Sequence, residues 1–168
     1  MHPHNQLIEK FYSSFQQLDW QGMNSCYHED VFFYDPVFEN LNAAQVKAMW
    51  EMLCRNAVDF SLEYSDVKAD DEYGSCNWKA TYIFSATGRP VVNYIKAHFQ
   101  FHEGKIVEHM DNFSLWKWSR QALGAKGLLL GWSGLVQNKV RKTAKRRLEK
   151  FMLANQTTQN PETLNPKP

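Results

Sequence analysis

The chain has 168 residues, a formal net charge of +1, and ordinary shares of hydrophobic (43%) and charged (22%) residues. That is about one domain of roughly 100–200 residues, and it excludes a disordered protein. No apolar run approaches the roughly 18 residues of a membrane span, and the start Met1–Asn5 has neither the basic nor the apolar segment of a secretory signal. Cys26, Cys54 and Cys76 fit neither a zinc pattern nor a disulfide framework, so a reduced, cytoplasmic protein is expected. Aromatics reach 14%, with six Trp, which points to large buried surfaces or a lined cavity. Charge is uneven: seven basic residues between Lys139 and Lys150 meet Glu149 alone, and the body is mildly acidic.

Leu7, Ile8, Phe11, Phe15 and Leu18 recur at helical spacing and predict a first helix over 5–18. A short second helix is expected across 20–27. Val31–Tyr34 is a β-branched and aromatic run that Asp35-Pro36 ends, since proline donates no ladder hydrogen bond. Asn42 is the expected N-cap of a third helix carrying Val46, Met49, Trp50 and Leu53. From Phe60 the period becomes two. Trp78, Ala80, Tyr82 and Phe84 share one strand face, and Asn93, Ile95, Ala97 and Phe99 share one on the next strand. The last strand is predicted from Ile106 to about Trp116, with His109, Asp111 and Phe113 on one face. Three helices followed by four long antiparallel strands predict an α+β fold, the helices packed on one face of a curved antiparallel sheet.

This domain is expected over 1–118. A helical extension over 119–153 follows, Gly-punctuated through 122–132 and then helical through Val136, Val140, Ala144, Leu148 and Phe151. Its apolar load, which includes Leu128, Leu129, Leu130, Trp132 and Leu135, predicts burial against the domain. The Thr/Gln/Asn/Pro-rich residues 154–168 read as a disordered tail.

Five pieces in order carry a resemblance: Asp19–Met23, Phe33-Tyr34-Asp35-Pro36, Gly88-Arg89-Pro90, His98–Phe101 and Glu108–Asp111. Residues 5–117 thereby resemble the cone-shaped nuclear transport factor 2-like fold, in the branch of ketosteroid isomerases and SnoaL-like polyketide cyclases. Residues 118–124 and 129–132 also resemble a bacterial SnoaL-like subgroup. The resemblance implies a proton-moving base at Asp35, from the isomerases, and an acid/base at Asp111, from the cyclases. The isomerase oxyanion donors correspond to Phe11 and Ala97, whose side chains cannot donate, so steroid isomerisation is not expected. His109 stands two residues from Asp111, and strand alternation puts both on one face. Asp35, His109 and Asp111 are therefore the candidate catalytic residues, sharing a cavity in which burial raises the pKa of Asp35. Phe11, Trp50, Trp78, Tyr82, Asn93, Ala97 and Phe113 are the candidate ligand-binding walls.

The functional expectation is a cofactor-independent enzyme that moves protons on a hydrophobic small molecule: an isomerase, cyclase or hydrolase. A non-catalytic ligand-binding or dimerisation module of the same fold stays open. An open cavity reached by both carboxylates favours the enzyme; a filled or plugged one favours the module. His109 and Asp111 could equally be a buried structural pair. No metal signature is present, and His2 and His4 are placed in a mobile N-terminus. A homodimer is expected through the outer sheet face carrying Lys79, Thr81, Tyr94, Lys96 and His98. Nucleic acid is not an expected partner, and contact of the basic helix with a membrane surface ranks behind a solvated face.

Overall fold

The chain runs α1 (Pro3–Gln16), α2 (Trp20–Ser25), β1 (Tyr27–Asp35), β2 (Glu39–Leu41), α3 (Ala43–Arg55), then β3 (Ser61–Ala69) and β4 (Tyr73–Phe84). It continues through β5 (Arg89–His102), β6 (Lys105–Asn112), α4 (Leu115–Leu123), α5 (Ala125–Leu130) and α6 (Gly134–Gln159). The computed structural model describes residues 2–159, and side chains through residue 157.

Local chemistry accounts for most helix limits. α1 buries Ile8, Phe11, Tyr12 and Phe15, one stripe of the 3.6-residue period. Its start is tied down: His2 caps it and pairs with Asp71 at 3.1 Å, and His4 Nδ1 lies 2.8 Å from the Asp70 carbonyl. The expected mobile N-terminus is thus anchored, from His2 on, to the β3–β4 turn. Asp19 Oδ1 accepts from the Gly22 N–H at 2.9 Å and starts α2. Asn42 and Gln45 form a reciprocal capping box, each bond 3.0 Å, that starts α3.

The strands form one sheet in the order β2-β1-β6-β5-β4-β3. β3 to β6 is the expected antiparallel meander. The expectation of a wholly antiparallel sheet is corrected at β1, which pairs with β6 in parallel. A parallel neighbour needs a long crossover, and here α3 and the whole meander supply it. β2 is a second departure, because three residues are too few for an alternating pattern to show. Register shifts between Ser65 and Lys68, Gln100 and Phe101, and Tyr27 and Phe32 mark irregularities of the kind that bend strands and curl a sheet.

β6 ends at Asn112, short of the expected Trp116, because Ser114 accepts from the Lys117 N–H at 3.3 Å and caps a helix. That helix, α4, runs through residue 118, where the periodicity predicts the domain to end. It buries Leu115, Trp118, Ser119 and Ala122. The Gln121 amide fixes it to β5, accepting from the Val92 N–H at 2.8 Å and donating to the Val92 carbonyl at 2.9 Å. Gly124, at φ +63°, breaks α4 from α5. Gly127 lets α5 fold back, since a Cβ there would stand 1.8 Å from the Ser119 carbonyl oxygen.

α6 packs on α3 and buries Leu148. Its cations reach the β1–β2 turn: Arg141 Nε donates to the Pro36 carbonyl at 3.0 Å, and Lys145 pairs with Glu39. Leu128, Leu129, Leu130, Trp132 and Leu135 stay 52–85% exposed, against the expected burial. α5 is a six-residue helix whose close approach to α4 is made at Gly127. The helix continues to Gln159, past the expected limit of order at 153; residues 160–168 of the expected tail lie outside the described residues. No helix among the described residues is long and apolar enough to cross a membrane.

Candidate active site

The inner sheet face follows strand parity. Trp78 stands opposite Ile95, Ala80 opposite Asn93, and Ala97 opposite Asp111, with His109 between Phe33 and Phe99. A cavity of about 1270 Å³ opens between this face, α3, α4 and α6. It is at or above the upper end of small-molecule pockets, roughly 300–1,000 Å³. Asp35, Trp50, Trp78, Tyr82, Asn93, Asp111 and Phe113 all line it. Leu123, Ala125, Lys126 and Leu130 form part of its wall.

Three expected residues are not in that wall. Phe11 and Ala97 are fully buried behind it. His109 is also fully buried, enclosed by Phe11, Phe33, Trp50 and Phe99, with ring centroids 4.5–6.1 Å away. Sharing a face with Asp111 places it on the same side of the sheet but one layer deeper. Its hydrogen bonds follow a single direction. Trp50 Nε1 can only donate, so the Tyr27 hydroxyl oxygen accepts it at 2.8 Å. The Tyr27 proton then points to His109 Nδ1 at 2.7 Å, leaving His109 Nε2–H to donate to Asp111 Oδ1 at 3.2 Å. Trp78 Nε1–H donates to the same oxygen at 3.1 Å. Both donors converge on Oδ1, so Oδ2 keeps its accepting capacity for a guest.

Asp35 closes β1 as an Asx-type turn: Oδ1 accepts from the Val37 N–H at 2.8 Å and the Phe38 N–H at 2.5 Å. Burial pushes its pKa up to about 7, and the nearby Asp111 carboxylate adds to this, while the Phe38 and Val37 N–H groups act against it. Near neutral pH such a carboxyl is divided between its base and acid forms.

Tyr82 has chemistry beyond a wall. Trp118 Nε1–H donates to its hydroxyl oxygen at 2.8 Å, so the Tyr82 proton is free for an oxygen in the cavity. Burial holds this hydroxyl above its usual pKa, and it stays a donor. The partner, Trp118, lies on α4, a helix not predicted from the sequence, which reads as strand up to about Trp116, so spacing alone did not connect the two. Tyr12 is not such a donor: among the described residues its buried hydroxyl has no hydrogen-bond partner, and it lies outside the cavity wall.

One cluster escaped sequence reasoning because its members are 74 residues apart. Ligand atoms of His28, His102 and Glu103 all lie within 4.8 Å of one another, away from the cavity wall and mostly exposed. The three cysteines are buried and free.

The fold recurs in solved structures. A protein assigned as a polyketide cyclase from Xanthomonas campestris pv. campestris superposes with a TM-score of 0.61 at 18% identity, covering 71% of this chain and 96% of its own. A polyketide cyclase assignment from Pseudomonas putida KT2440 gives 0.60 at 22%, covering 72% and 98%. An LEH-like epoxide hydrolase of M. tuberculosis gives 0.59 at 18%, covering 80% and 95%. At these identities the likeness concerns the fold. The search of curated proteins returned no match. The family model of the SnoaL-like domain matches residues 8–109, from α1 to His109. With its helices on a curled six-stranded sheet, the chain belongs to the SnoaL-like domain family of the nuclear transport factor 2-like fold.

Proposed function

We propose that the protein is an acid/base enzyme acting on a hydrophobic small molecule without a cofactor. The observation that carries this is Asp35, a carboxyl on the wall of a large apolar cavity with a pKa near 7. A group with a pKa at the working pH removes and returns protons with least penalty. Asp35 Oδ2 takes a proton from an acidic C–H or from water. The Tyr82 O–H donates to the oxygen on which negative charge develops, the task that Phe11 and Ala97 cannot perform. Asp111 is held by His109 and Trp78 and orients polar atoms of the substrate; His109 is a positioning residue. The proton then returns from Asp35 to another carbon or to the leaving oxygen, which covers isomerisation, cyclisation and hydration.

The test uses two apolar probes. 2-Tetralone is followed for deuterium uptake at its α-carbon in D2O, and styrene oxide for diol formation. Expected is turnover of at least one above the buffer rate, rising through a pKa near 7, lost in Asp35→Asn and reduced about 100-fold in Tyr82→Phe. Turnover surviving Asp35→Asn overturns the assignment.

A ligand-holding module without chemistry is the second reading. It is favoured by the tying of Asp111 into the Trp78 and His109 hydrogen bonds, an arrangement that also suits a structural pair. Under that reading 2-tetralone binds, but its α-protons exchange at the buffer rate.

The assembly proposed with this function is a homodimer through the outer sheet face. Supporting it, Tyr94 is 71% exposed there, beside a groove of about 570 Å³ shared with Lys79 and Lys96. Sedimentation equilibrium returning a monomer at about 10–50 µM, a concentration at which an ordinary interface is filled, rejects it.

A further inference from the structure

The charged residues of the cavity wall are segregated by origin. Its two carboxylates, Asp35 and Asp111, come from the sheet. Its three cations, Lys126, Lys139 and Arg147, come from α5 and α6, outside the residues matched by the family. Two other cations of α6 are already engaged, Arg141 with the Pro36 carbonyl and Glu39, and Lys145 with Glu39. Lys126, Lys139 and Arg147 form no ion pair among the described residues.

Helical spacing puts these cations next to apolar surface. Val136, Lys139, Val140, Thr143, Ala144, Arg147 and Phe151, at i, i+3, i+4, i+7, i+8, i+11 and i+15, form one stripe of α6 on the cavity wall. The same wall carries Phe15, Met49, Trp50 and Phe60. A guest therefore meets carboxylates carried by the sheet, apolar side chains, and unpaired cations carried by α5 and α6. An anionic group is disfavoured beside the carboxylates and favoured beside the cations. Arg147 adds a forked guanidinium that matches a carboxylate or phosphate.

We propose that the cavity takes an apolar molecule with a single anionic terminus, a carboxylate or a phosphate monoester, held by Lys126, Lys139 and Arg147. The apolar body spans the aromatic wall and the uncharged end reaches Asp35 and Tyr82. This deepens the proton-transfer reading by naming the substrate class, and its binding half stands without that reading.

The experiment compares dodecanoate with dodecan-1-ol, both below micelle-forming concentration, by quenching of the wall tryptophans in the full chain. Dodecanoate is expected to bind about tenfold tighter, with the preference shrinking as salt rises. K139Q/R147Q is expected to lose the preference while binding dodecan-1-ol as before. K142Q/R146Q changes two exposed cations outside the wall and is expected to keep it. Asp35→Asn is also expected to keep it, so loss of proton transfer in that variant and loss of anion preference in the other are read separately. Equal binding of acid and alcohol overturns the proposal, as does an equal loss in both double variants. Sedimentation with phosphatidylglycerol vesicles, without a preference for free dodecanoate, would overturn it in favour of a membrane surface.

Discussion

The cone and the helices after it treat similar apolar residues in opposite ways. In the cone, Phe11, Tyr12, Phe33, Val31 and Ile106 are each no more than 1% exposed. In the extension, Leu129 and Trp132 are 69% exposed and Leu135 is 85% exposed. The cone has two layers: α1 and α3 pack on the sheet, and α2 packs against both helices. The extension has one long helix whose firm contacts are Leu148, the Glu39 pairs and the stripe over the cavity. Apolar content alone does not bury a residue; a complementary surface must exist to receive it. The extension spends its inward face on walling the cavity, and the remaining apolar residues have no second layer.

The largest effect that sharpens this contrast is Phe33→Ala. It empties a fully buried site between Trp50 and His109 and is expected to cost about 3–5 kcal/mol in urea unfolding. A loss below 1 kcal/mol would mean that the cone is less tightly packed than its burial indicates.

Asp35→Asn follows, with the opposite sign. The unfolded carboxyl titrates near 4 and the folded one at about 7, so between these values the folded chain keeps a proton that the unfolded chain has released. Stability of the wild type therefore falls as pH rises from about 4 to 7 and then levels. The amide oxygen of Asn still accepts from Val37 and Phe38. The variant's advantage should be small at pH 4 and reach about 2–4 kcal/mol at pH 8, read from paired unfolding curves. An advantage that does not change with pH contradicts the raised pKa.

Tyr27→Phe leaves the Trp50 N–H and His109 Nδ1 buried without their partner and is expected to cost about 2–3 kcal/mol. The indole and imidazole resonances should shift with it by NMR. Smallest is Trp132→Ser together with Leu135→Ser, expected within about 0.5 kcal/mol of wild type. A much larger loss would show that these residues are covered in solution, and the contrast between the two regions would fail.

Much of the cone was legible in order along the chain. The Asn42 cap and the alternation of Trp78, Ala80 and Tyr82 are set by residues a few positions apart, where backbone geometry leaves few choices; the Asp19 cap and the Gln45 half of the box emerged only in the structure. Asp35 was legible as the end of a strand, and its place on the cavity wall agrees with that position. The parallel β1–β6 pair was not, because nothing local in Val31–Tyr34 records which strand lies beside it. Helix α4 was missed because its first turn, Leu115-Trp116, reads from the sequence as the end of the last strand, where Ser114 in fact caps a helix.

The sequence by itself determined which residues share a face: Asp35 with Phe33, His109 with Asp111, Asn93 with Ile95. A period of two or 3.6 is a property of the backbone and needs no partner. Only the tertiary structure decided depth and cover. Phe11, Phe33 and Trp50, from three separate elements, close over His109 and leave Asp111 at the cavity wall. The Glu39 contacts bring α6 to the cavity and turn Lys139 and Arg147 into part of its wall, while the corner at Gly124 and Gly127 carries Leu128 and Leu129 outward. Those outcomes depend on distances between segments up to about a hundred residues apart, which the summed packing of the whole chain sets.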